Sequence, residues 1–400
     1  MKNQSGLQPK HRFHLWLPNL FEFKGGIQTY SAFFLQAIQN LYPDAEYDIF
    51  IKHDKKPSSD FTSVAKTRFH CAGTIPLSLR TPGFAAQLFG QGILQNPDVI
   101  ISTHLNFTQV AYQLKRLRGI PYWTIAHGVE AWNIDNPKLL NALHHADRIL
   151  AVSRYTGDRL LKEQNLNPQK VSILPNTFDA DKFLPAPKPT YLLERHQLKP
   201  EQPIILTVAR LSASEQYKGY DQIIRAMPKI RSLIPDVHYI IVGKGDDKFR
   251  IEQLITELKL ETCVTLAGFV PDTELADYYN LCNLFAMPSK GEGFGIVYLE
   301  ALACGKPVLG GNQDGAIDAL CHGKLGALVN PDDIDQIAEN IILILQGTYP
   351  NSFIYQPQSL RQMVIDTFGF GQFQKGVAEL GYDINFAPRR KVAKTQSFKF

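Results

Sequence analysis

The sequence predicts an α/β protein made of two Rossmann-like domains, each built on a parallel β-sheet. Short apolar runs alternate with amphipathic segments along most of the chain, which is the pattern of βαβ units. A chain of 400 residues, 44% of them hydrophobic, is also long enough to form two cores. A stretch rich in proline and polar residues interrupts the alternation near residue 180, so we place the domain boundary there.

The first domain is predicted over residues 1–180. Its candidate strands are RFHLWL, YDIFI, DVIIST, PYWTIA, RILAV and VSILP, and the amphipathic helix GIQTYSAFFLQAIQNL follows the first of them. Strands resume after the linker in a second domain, predicted over residues 181–370, at PIILTVA, HYIIVG, CVTLAG, NLFAMP, KPVLGG and GALVN. A late helix within residues 371–387, around GFGQFQKGVAELG, is expected to pack back toward the first domain. Residues 388–400 are predicted to form a basic, flexible tail.

Composition limits the classes of function. No apolar run approaches the roughly 20 residues that a spanning helix needs, and MKNQSGLQPKHRF lacks the apolar core of a secretion signal, so we expect a cytoplasmic protein. The five cysteines lack metal-like pairing, which argues against disulfides and structural zinc. We expect histidines such as His144 and His145 to lie at the surface.

The net charge of +4 is concentrated in the first half of the chain and in the tail. One basic cluster contains Lys115, Arg116 and Arg118, and the end APRRKVAKTQSFKF is another. Each cluster is either solvated surface or a means of weak attraction to an anionic membrane. No recognised motif accompanies the charge, so nucleic acid is not an expected partner.

Ligands of open parallel sheets bind beyond the carboxyl ends of the strands. Gly25 and Gly26 follow the first strand, where glycine permits close approach to a phosphate and the next helix offers free N–H groups. In the second domain Arg210 leaves a strand end and Lys218 precedes a helix. Together these two cations could neutralise a diphosphate leaving group.

The stretch GEGFGIVYLEAL contains a second glycine turn that enters a helix. The residues of this turn, whose N–H groups would be directed at a phosphate, are Phe294, Gly295, Ile296 and Val297. Glu300 lies about one turn further along and could reach a ribose diol. Glu292 precedes the turn, so the two carboxylates would bracket the ligand from opposite ends.

These motifs together resemble the family 4 glycosyltransferases, retaining enzymes of the GT-B fold, in which two Rossmann-like domains face each other across a donor and acceptor cleft. The similarity rests on Glu292 and Glu300 with the preceding MPSKGEGFG, on Arg210 with Lys218, on the Gly25–Gly26 pair, and on ILPNTFDADKF and ACGKPVLGG. It implies transfer of a hexosyl group from a UDP- or GDP-sugar to a carbohydrate or lipid-linked acceptor, in polysaccharide, lipopolysaccharide or glycolipid synthesis.

The resemblance also assigns roles. Arg210 and Lys218 would hold the diphosphate, Glu300 the ribose, and Glu292 the hydroxyls of the transferred sugar. Backbone near Gly268, Phe269 and Val270 would meet the base. His127 ends the strand PYWTIA and would contact the transferred sugar or the acceptor.

The resemblance further implies that no cofactor and no metal is required. The sequence DAD at residues 179–181 mimics a pair of metal-binding carboxylates, but it lies in the linker, and we interpret it as a turn. We likewise interpret VSRYT, residues 152–156, as the start of a helix.

Two other functions remain open. A nucleotide-sugar epimerase of GT-B architecture would share the nucleotide site, and a non-catalytic sugar-binding protein would share the two α/β lobes. The spacing of Glu292 and Glu300 disfavours the epimerase, and the absence of an apparent signal peptide disfavours the binding protein.

Overall fold

The computed structural model describes residues 11–22, 25–58 and 66–382. Its first sheet has seven strands in the order β3-β2-β1-β4-β5-β6-β7, and every pair is parallel. The strands are β1 Arg12–Leu17, β2 Glu46–Ile51, β3 Thr67–Cys71, β4 Val99–Ser102, β5 Tyr122–Ala126, β6 Arg148–Ala151 and β7 Val171–Ile173. The helices between them are α1 Gly26–Leu41, α2 Leu77–Gln95, α3 Thr108–Arg118, α4 Pro137–His145 and α5 Arg154–Gln164.

The second sheet has six parallel strands in the order β10-β9-β8-β11-β12-β13. They are β8 Ile204–Val208, β9 His238–Val242, β10 Val264–Gly268, β11 Leu284–Met287, β12 Val308–Gly311 and β13 Ala327–Val329. The accompanying helices are α6 Thr190–Arg195, α7 Tyr220–Leu233, α8 Lys248–Glu257, α9 Leu275–Leu281, α10 Ile296–Ala303, α11 Ala316–Ala319 and α12 Ile334–Leu345, followed by α13 Pro357–Phe368 and α14 Phe370–Tyr382.

Burial explains why these sequences form parallel strands. β1, β5 and β9 are buried along nearly their whole length, as expected of strands covered by helices on both faces. Apolar positions recur on the buried side of α1 and α12, which pack against the two sheets. The two Rossmann-like domains and the predicted strands that form them are therefore confirmed.

In both sheets the strand order reverses direction beside the first strand of the domain, between β1 and β4 and between β8 and β11. Such switch points leave a crevice at the carboxyl ends of the strands. The loops after β1, β4, β8 and β11 therefore define where ligands can be reached in each domain.

The linker and the last helix join the two domains. Arg361 on α13 donates hydrogen bonds to the carbonyls of Ala180 (2.6 Å) and Ala303 (2.9 Å), and so ties the linker to α10. Helix α14 lies against α1, where the rings of Phe373 and Tyr30 meet edge to face with their centroids 5.3 Å apart. The last helix of the described chain therefore packs on the first domain.

The structure corrects two sequence-based expectations. Strand β3 was not predicted, because TRFHC is a short and partly exposed edge strand with mixed polarity. Several histidines are not at the surface: His14 and His238 are buried, and burial lowers the pKa of each to about 4. The predicted basic tail at 388–400 lies outside the described residues.

Candidate active site

A chain of alternating charges follows the switch point of the second domain. The Arg210 guanidinium lies 2.8 Å from Glu215 Oε1, and Lys218 Nζ lies 3.6 Å from Glu215 Oε2. Lys218 also forms a salt bridge with Glu292, and both of these side chains are about 15% exposed, at 14% and 15%. The network therefore contains two cations and two carboxylates, and it joins the loop after β8 to the loop after β11.

The pKa of Lys218 shows how strongly the charges of this network interact. Burial alone would lower the pKa of Lys218, but the carboxylates of Glu292 and Glu215 outweigh it and raise the pKa above its ordinary value. Lys218 therefore remains a cation at any physiological pH. An anion that displaces the two carboxylates would find both cations already placed.

The glycine turn after Glu292 is held by a buried carboxylate. Asp314 accepts hydrogen bonds from the Glu292 N–H (2.7 Å), the Ser289 hydroxyl (2.6 Å) and the Ala316 N–H (2.9 Å). Burial raises the pKa of Asp314 to about 7, although these donors oppose the shift. Asp314 thus fixes the backbone that carries Glu292.

Helix α10 begins directly after this turn. Gly295 precedes it with φ +85°, in the left-handed region that favours glycine, and a Cβ at this position would lie 2.4 Å from the Tyr298 ring. The first N–H groups of the helix, at Ile296 and Val297, therefore follow a turn that only glycine fits without strain. Unpaired N–H groups of this kind attract phosphate.

Glu300 lies inside α10 and is 9% exposed. Its Oε2 accepts a hydrogen bond from the Tyr279 hydroxyl at 2.7 Å. Burial raises the pKa of Glu300 to about 7, a shift that the Tyr279 bond only partly opposes. Near neutral pH this carboxyl group is therefore found in both its protonated and its ionised form, and the ionised form can accept hydrogen bonds from a diol.

On the opposite side of the cleft, His127 follows β5. Its Nε2–H donates to the Thr103 carbonyl at 2.8 Å, which leaves Nδ1 as an acceptor. Burial lowers the pKa of His127 to about 4, so the imidazole is neutral at physiological pH. The Tyr30 ring packs edge to face against it at 5.2 Å. The His127 imidazole is thus held in the tautomer that carries its proton on Nε2.

Backbone contact brings His127 to the Glu292 turn. A Cβ on Gly293 would lie 1.6 Å from the His127 carbonyl oxygen and 2.9 Å from Gly128 Cα. The Thr156 hydroxyl also donates to the Gly293 carbonyl at 3.3 Å. The structure therefore places His127 and Glu292, which are far apart in sequence, on facing loops of one cleft.

The loop after β1 is organised by Asp54, which is fully buried. Its carboxylate accepts N–H bonds from Leu20 and Phe21, both at 2.7 Å, and from Glu22 at 3.3 Å. This loop leads to the Gly25–Gly26 pair at the start of α1. A Cβ on Gly26 would meet no atom within 4 Å, so open space lies in front of this helix end.

The predicted base-binding segment follows β10. Gly268 has φ +72°, Phe269 is 66% exposed, and the Lys244 ammonium lies 4.7 Å from the Phe269 ring centroid. Val270 packs partly against the core. An exposed aromatic ring with a cation over it at a strand end provides a flat apolar surface beside a charge.

The structure brings most of the predicted residues into two facing groups. His127, Gly25 and Gly26 belong to the first domain, and Arg210, Lys218, Glu292 and Glu300 to the second. Sequence reasoning missed Asp54 and Asp314, which hold two of the loops. Both follow strands within a few residues, and that position could have pointed to them.

The motifs DAD (residues 179–181) and VSRYT (residues 152–156) form a turn and a helix start, respectively. Asp179 accepts hydrogen bonds from the N–H groups of Asp181 (3.0 Å) and Lys182 (3.1 Å), which is a carboxylate-capped turn. Ser153 caps α5 by accepting the Thr156 N–H at 3.0 Å. Within the described ranges, no group of three or more His, Cys, Asp or Glu residues could hold a metal ion.

Two family models match the chain. The one described as Glycosyltransferase Family 4 matches residues 24–182, and the one described as Glycosyl transferases group 1 matches residues 192–358. Among solved structures, a sucrose-phosphate synthase from Thermosynechococcus elongatus has a TM-score of 0.78 at 21% identity, covering 94% of this chain and 99% of its own. Anabaena HepE in complex with UDP-glucose has a TM-score of 0.76 at 20% identity, covering 93% of this chain and 100% of its own.

Curated relatives match a shorter part. A GDP-mannose-dependent alpha-(1-6)-phosphatidylinositol monomannoside mannosyltransferase of Mycolicibacterium smegmatis is 33% identical over 48% of this chain and 51% of its own. A mannosylfructose-phosphate synthase of Agrobacterium fabrum is 25% identical over 48% of this chain and 43% of its own. The alignments thus span about half the length of these relatives.

Two Rossmann-like domains that face each other across a polar cleft define the GT-B class of fold, and the solved structures share it. The chain belongs to the family 4 glycosyltransferases.

Proposed function

We propose that this protein transfers a hexosyl group from a UDP- or GDP-sugar to an acceptor hydroxyl, with retention of the anomeric configuration, in polysaccharide, lipopolysaccharide or glycolipid synthesis. The observation that carries the proposal is the network of Arg210, Glu215, Lys218 and Glu292 beside the start of α10 and across the cleft from His127. Charged groups of both signs, fixed before a ligand arrives, suit a diphosphate leaving group.

Donor binding is assigned as follows. The diphosphate takes the place of the carboxylates around Arg210 and Lys218, and the N–H groups at the starts of α1 and α10 add further donors. Glu300 accepts hydrogen bonds from the ribose hydroxyls, and the segment from Gly268 to Val270 contacts the base. The bound diphosphate replaces Glu292 as the partner of Lys218. Glu292 can then accept hydrogen bonds from the hydroxyls of the transferred sugar.

The chemical step then needs no enzyme nucleophile. The bond between the anomeric carbon and the phosphate oxygen breaks while the acceptor oxygen forms its bond on the same face of the sugar. The acceptor proton passes to an oxygen of the departing nucleoside diphosphate. Arg210, Lys218 and the helix N-termini stabilise the negative charge that develops on the diphosphate. His127, held neutral, accepts a hydrogen bond at Nδ1 from the transferred sugar or the acceptor.

Similarity to proteins of known donor supports the class of substrate. The mycobacterial relative is described as GDP-mannose-dependent, and HepE was solved with UDP-glucose.

A donor screen tests the proposal. UDP, GDP and their sugars are added to the purified protein, and a nucleotide that binds the folded state raises its melting temperature. With the binding donor, Glu300→Ala is expected to weaken donor affinity and Glu292→Ala to depress turnover mainly. Equal losses of affinity with normal turnover would contradict these roles. Epimerised donor after incubation without acceptor would instead support the epimerase alternative.

We infer that catalysis requires no metal ion, because Arg210, Lys218 and two helix ends supply the positive charge that a metal would otherwise provide. Transfer is expected to continue in EDTA. Complete loss of activity that added magnesium or manganese restores would refute this part of the proposal.

We further propose weak association with an anionic membrane surface, at the inner face of the cytoplasmic membrane. No helix in the described part of the chain is long and apolar enough to span a bilayer. Lys115 is bound to Asp147 at 2.7 Å, but Arg116 and Arg118 are exposed and flank Leu117, which is 63% exposed. Vesicle co-sedimentation at low salt tests this, and pelleting with neutral vesicles equally well would argue against it.

A further inference from the structure

A second group of basic side chains lies at the carboxyl edge of the first sheet. The Lys52 N–H bonds the Leu17 carbonyl at 3.0 Å, so Lys52 stands directly after β2 and beside the end of β1. His104 follows β4, the next strand of the sheet, and His127 follows β5. Lys52, His104 and His127 thus follow β2, β4 and β5, which with β1 are four adjacent strands of the sheet. His104 interacts electrostatically with both Lys52 and His127.

Arg80 adds a second full charge to this edge from the first turn of α2. Its guanidinium donates to the carbonyls of Gly73 (2.8 Å) and Ile75 (3.1 Å) and lies 3.5 Å from His53 Nδ1. The first turn of α2 contains no acidic residue. A cation in the first turn of a helix is electrostatically unfavourable, so the two carbonyl bonds hold the Arg80 charge where the helix itself would disfavour it.

A carboxylate acts on this edge of the sheet: Glu130 interacts with His104 and accepts the backbone N–H of His127. Lys52 and Arg80 themselves have no carboxylate partner among the described residues. Partial burial, followed by repulsion from Arg80, lowers the pKa of Lys52. Asp54, which interacts with the neighbouring His53, is occupied by the N–H groups of Leu20, Phe21 and Glu22. Among the residues that the structure describes, neither Lys52 nor Arg80 forms an ion pair.

His104 adds a neutral donor. Its Nδ1 accepts the Asn106 N–H at 3.2 Å, so the proton lies on Nε2. Burial lowers the pKa of His104, which keeps the ring uncharged. Lys52 and Arg80 supply two positive charges and His104 supplies a neutral N–H donor, beside His127. Such a set of donors can bind a phosphate or carboxylate group.

We propose that Lys52 and Arg80, with His104, form a binding site for an anionic group, a phosphate or carboxylate, on the acceptor. The assignment rests on the proposed transferase function, since it names the acceptor class for that reaction. Like charges held together cost free energy in the unoccupied site, and an anion removes that cost while it positions the acceptor hydroxyl near His127.

Calorimetric titration with inorganic phosphate tests the site itself. The titration is done on the full chain, with UDP or GDP at saturation when either binds, so that the diphosphate site is filled. Lys52→Met is expected to weaken phosphate binding by about tenfold or more, since a charge-assisted bond is lost. Lys52→Arg should restore the affinity, and Lys56→Met, which removes an exposed lysine four residues away, should leave it unchanged.

Equal phosphate affinity in the native chain and in Lys52→Met, or no phosphate binding to the native chain, would overturn the site. Phosphate binding that depends on Lys52 when no nucleotide binds would support the site while refuting the donor proposal. Competition by glucose 6-phosphate, compared with competition by phosphatidylinositol vesicles, distinguishes a soluble acceptor from a lipid headgroup. In transfer assays Lys52→Met should raise the acceptor KM and leave the donor KM unchanged.

Discussion

At the scale of single residues, Gly26 separates a structural role from a binding role. It lies in the first turn of α1, and a Cβ there would touch nothing in the folded chain. We expect Gly26→Ala to leave stability unchanged or to raise it by up to about 1 kcal/mol. The same methyl group should weaken donor binding by about tenfold, because it occupies the space through which a phosphate approaches the helix. Melting temperature and donor affinity together measure the two effects.

Gly371→Ala is the matched control for this substitution. It also lies in a helix and has open space at Cβ, and its helix, α14, carries none of the residues assigned to the donor. It should change neither quantity. Undiminished donor affinity in Gly26→Ala would remove Gly26 from the binding site.

The raised pKa of Glu300 predicts how stability depends on pH. Burial raises it from an ordinary 4.5 to about 7 in the folded chain. Between these values the unfolded chain loses the proton and the folded chain keeps it, so the free energy of unfolding falls as pH rises. Above pH 7, where Glu300 is ionised in both states, this loss in the free energy of unfolding amounts to about 3 kcal/mol.

Glu300→Gln removes this ionisation. Relative to the native chain, the variant should gain stability from pH 5 to pH 8, and urea unfolding across that range measures the difference. Asp314 titrates in both proteins and cancels from the comparison. Parallel stability curves for the two proteins would show that Glu300 ionises normally.

At the scale of elements, the loop between β1 and α1 depends on one carboxylate. Asp54 lies after β2, yet it binds three successive N–H groups of this loop. We expect Asp54→Ala to destabilise the protein by about 3 kcal/mol, because buried N–H groups lose a charged acceptor. Donor affinity should fall as well, since Gly25 and Gly26 continue the same loop. Chemical unfolding and donor titration provide the two measurements.

Asp44→Ala is the comparison variant, because the Asp44 side chain is 96% exposed and its pair with Lys66 spans 3.8 Å. An exposed pair of this kind contributes little to stability. If Asp54→Ala were no more harmful than Asp44→Ala, the loop would have to be held by other contacts.

At the scale of the whole molecule, the relative position of the two domains depends on close backbone contact. His127 packs on Gly293, and Asp318 of the second domain accepts the Tyr155 N–H at the start of α5, at 2.8 Å. Asp318 thus caps a helix of the other domain. Polar contacts at loop and helix ends therefore join the two domains across the cleft.

Gly293→Ala should separate the domains at this point, because its Cβ would overlap the His127 carbonyl oxygen at 1.6 Å. We expect sugar transfer to fall by at least about a hundredfold, since a small misplacement of reacting groups has that effect. Donor affinity should fall by no more than about tenfold, because the contact with the start of α1 is lost while Arg210, Lys218 and Glu300, all in the second domain, stay in place. Small-angle X-ray scattering should show a larger radius of gyration.

Gly90→Ala on α2 is the control, because a Cβ there meets nothing within 4 Å. It should leave scattering and activity as in the native chain. Normal transfer by Gly293→Ala would mean that the observed domain contact is not needed for the reaction.

The sequence by itself determined the fold and the chemical character of the cleft. Strand and helix patterns are local, since apolar alternation and glycine turns act within a few residues, so the path from β1 to α14 could be predicted apart from β3. The charged residues Arg210, Lys218 and Glu292 could be chosen because they follow strands or precede helices, and Glu300 because it lies one turn into the helix after the glycine turn. Their type and position required no knowledge of contacts.

Only the tertiary structure decided how these groups pair and titrate. The bond between Lys218 and Glu292, the capture of the β1–α1 loop by Asp54, and the contact of His127 with Gly293 each join distant parts of the chain. The raised pKa of Glu300 and the neutral state of His127 follow from burial, which is set by packing. Distances between distant residues and exclusion of water arise only when both domains have folded and met.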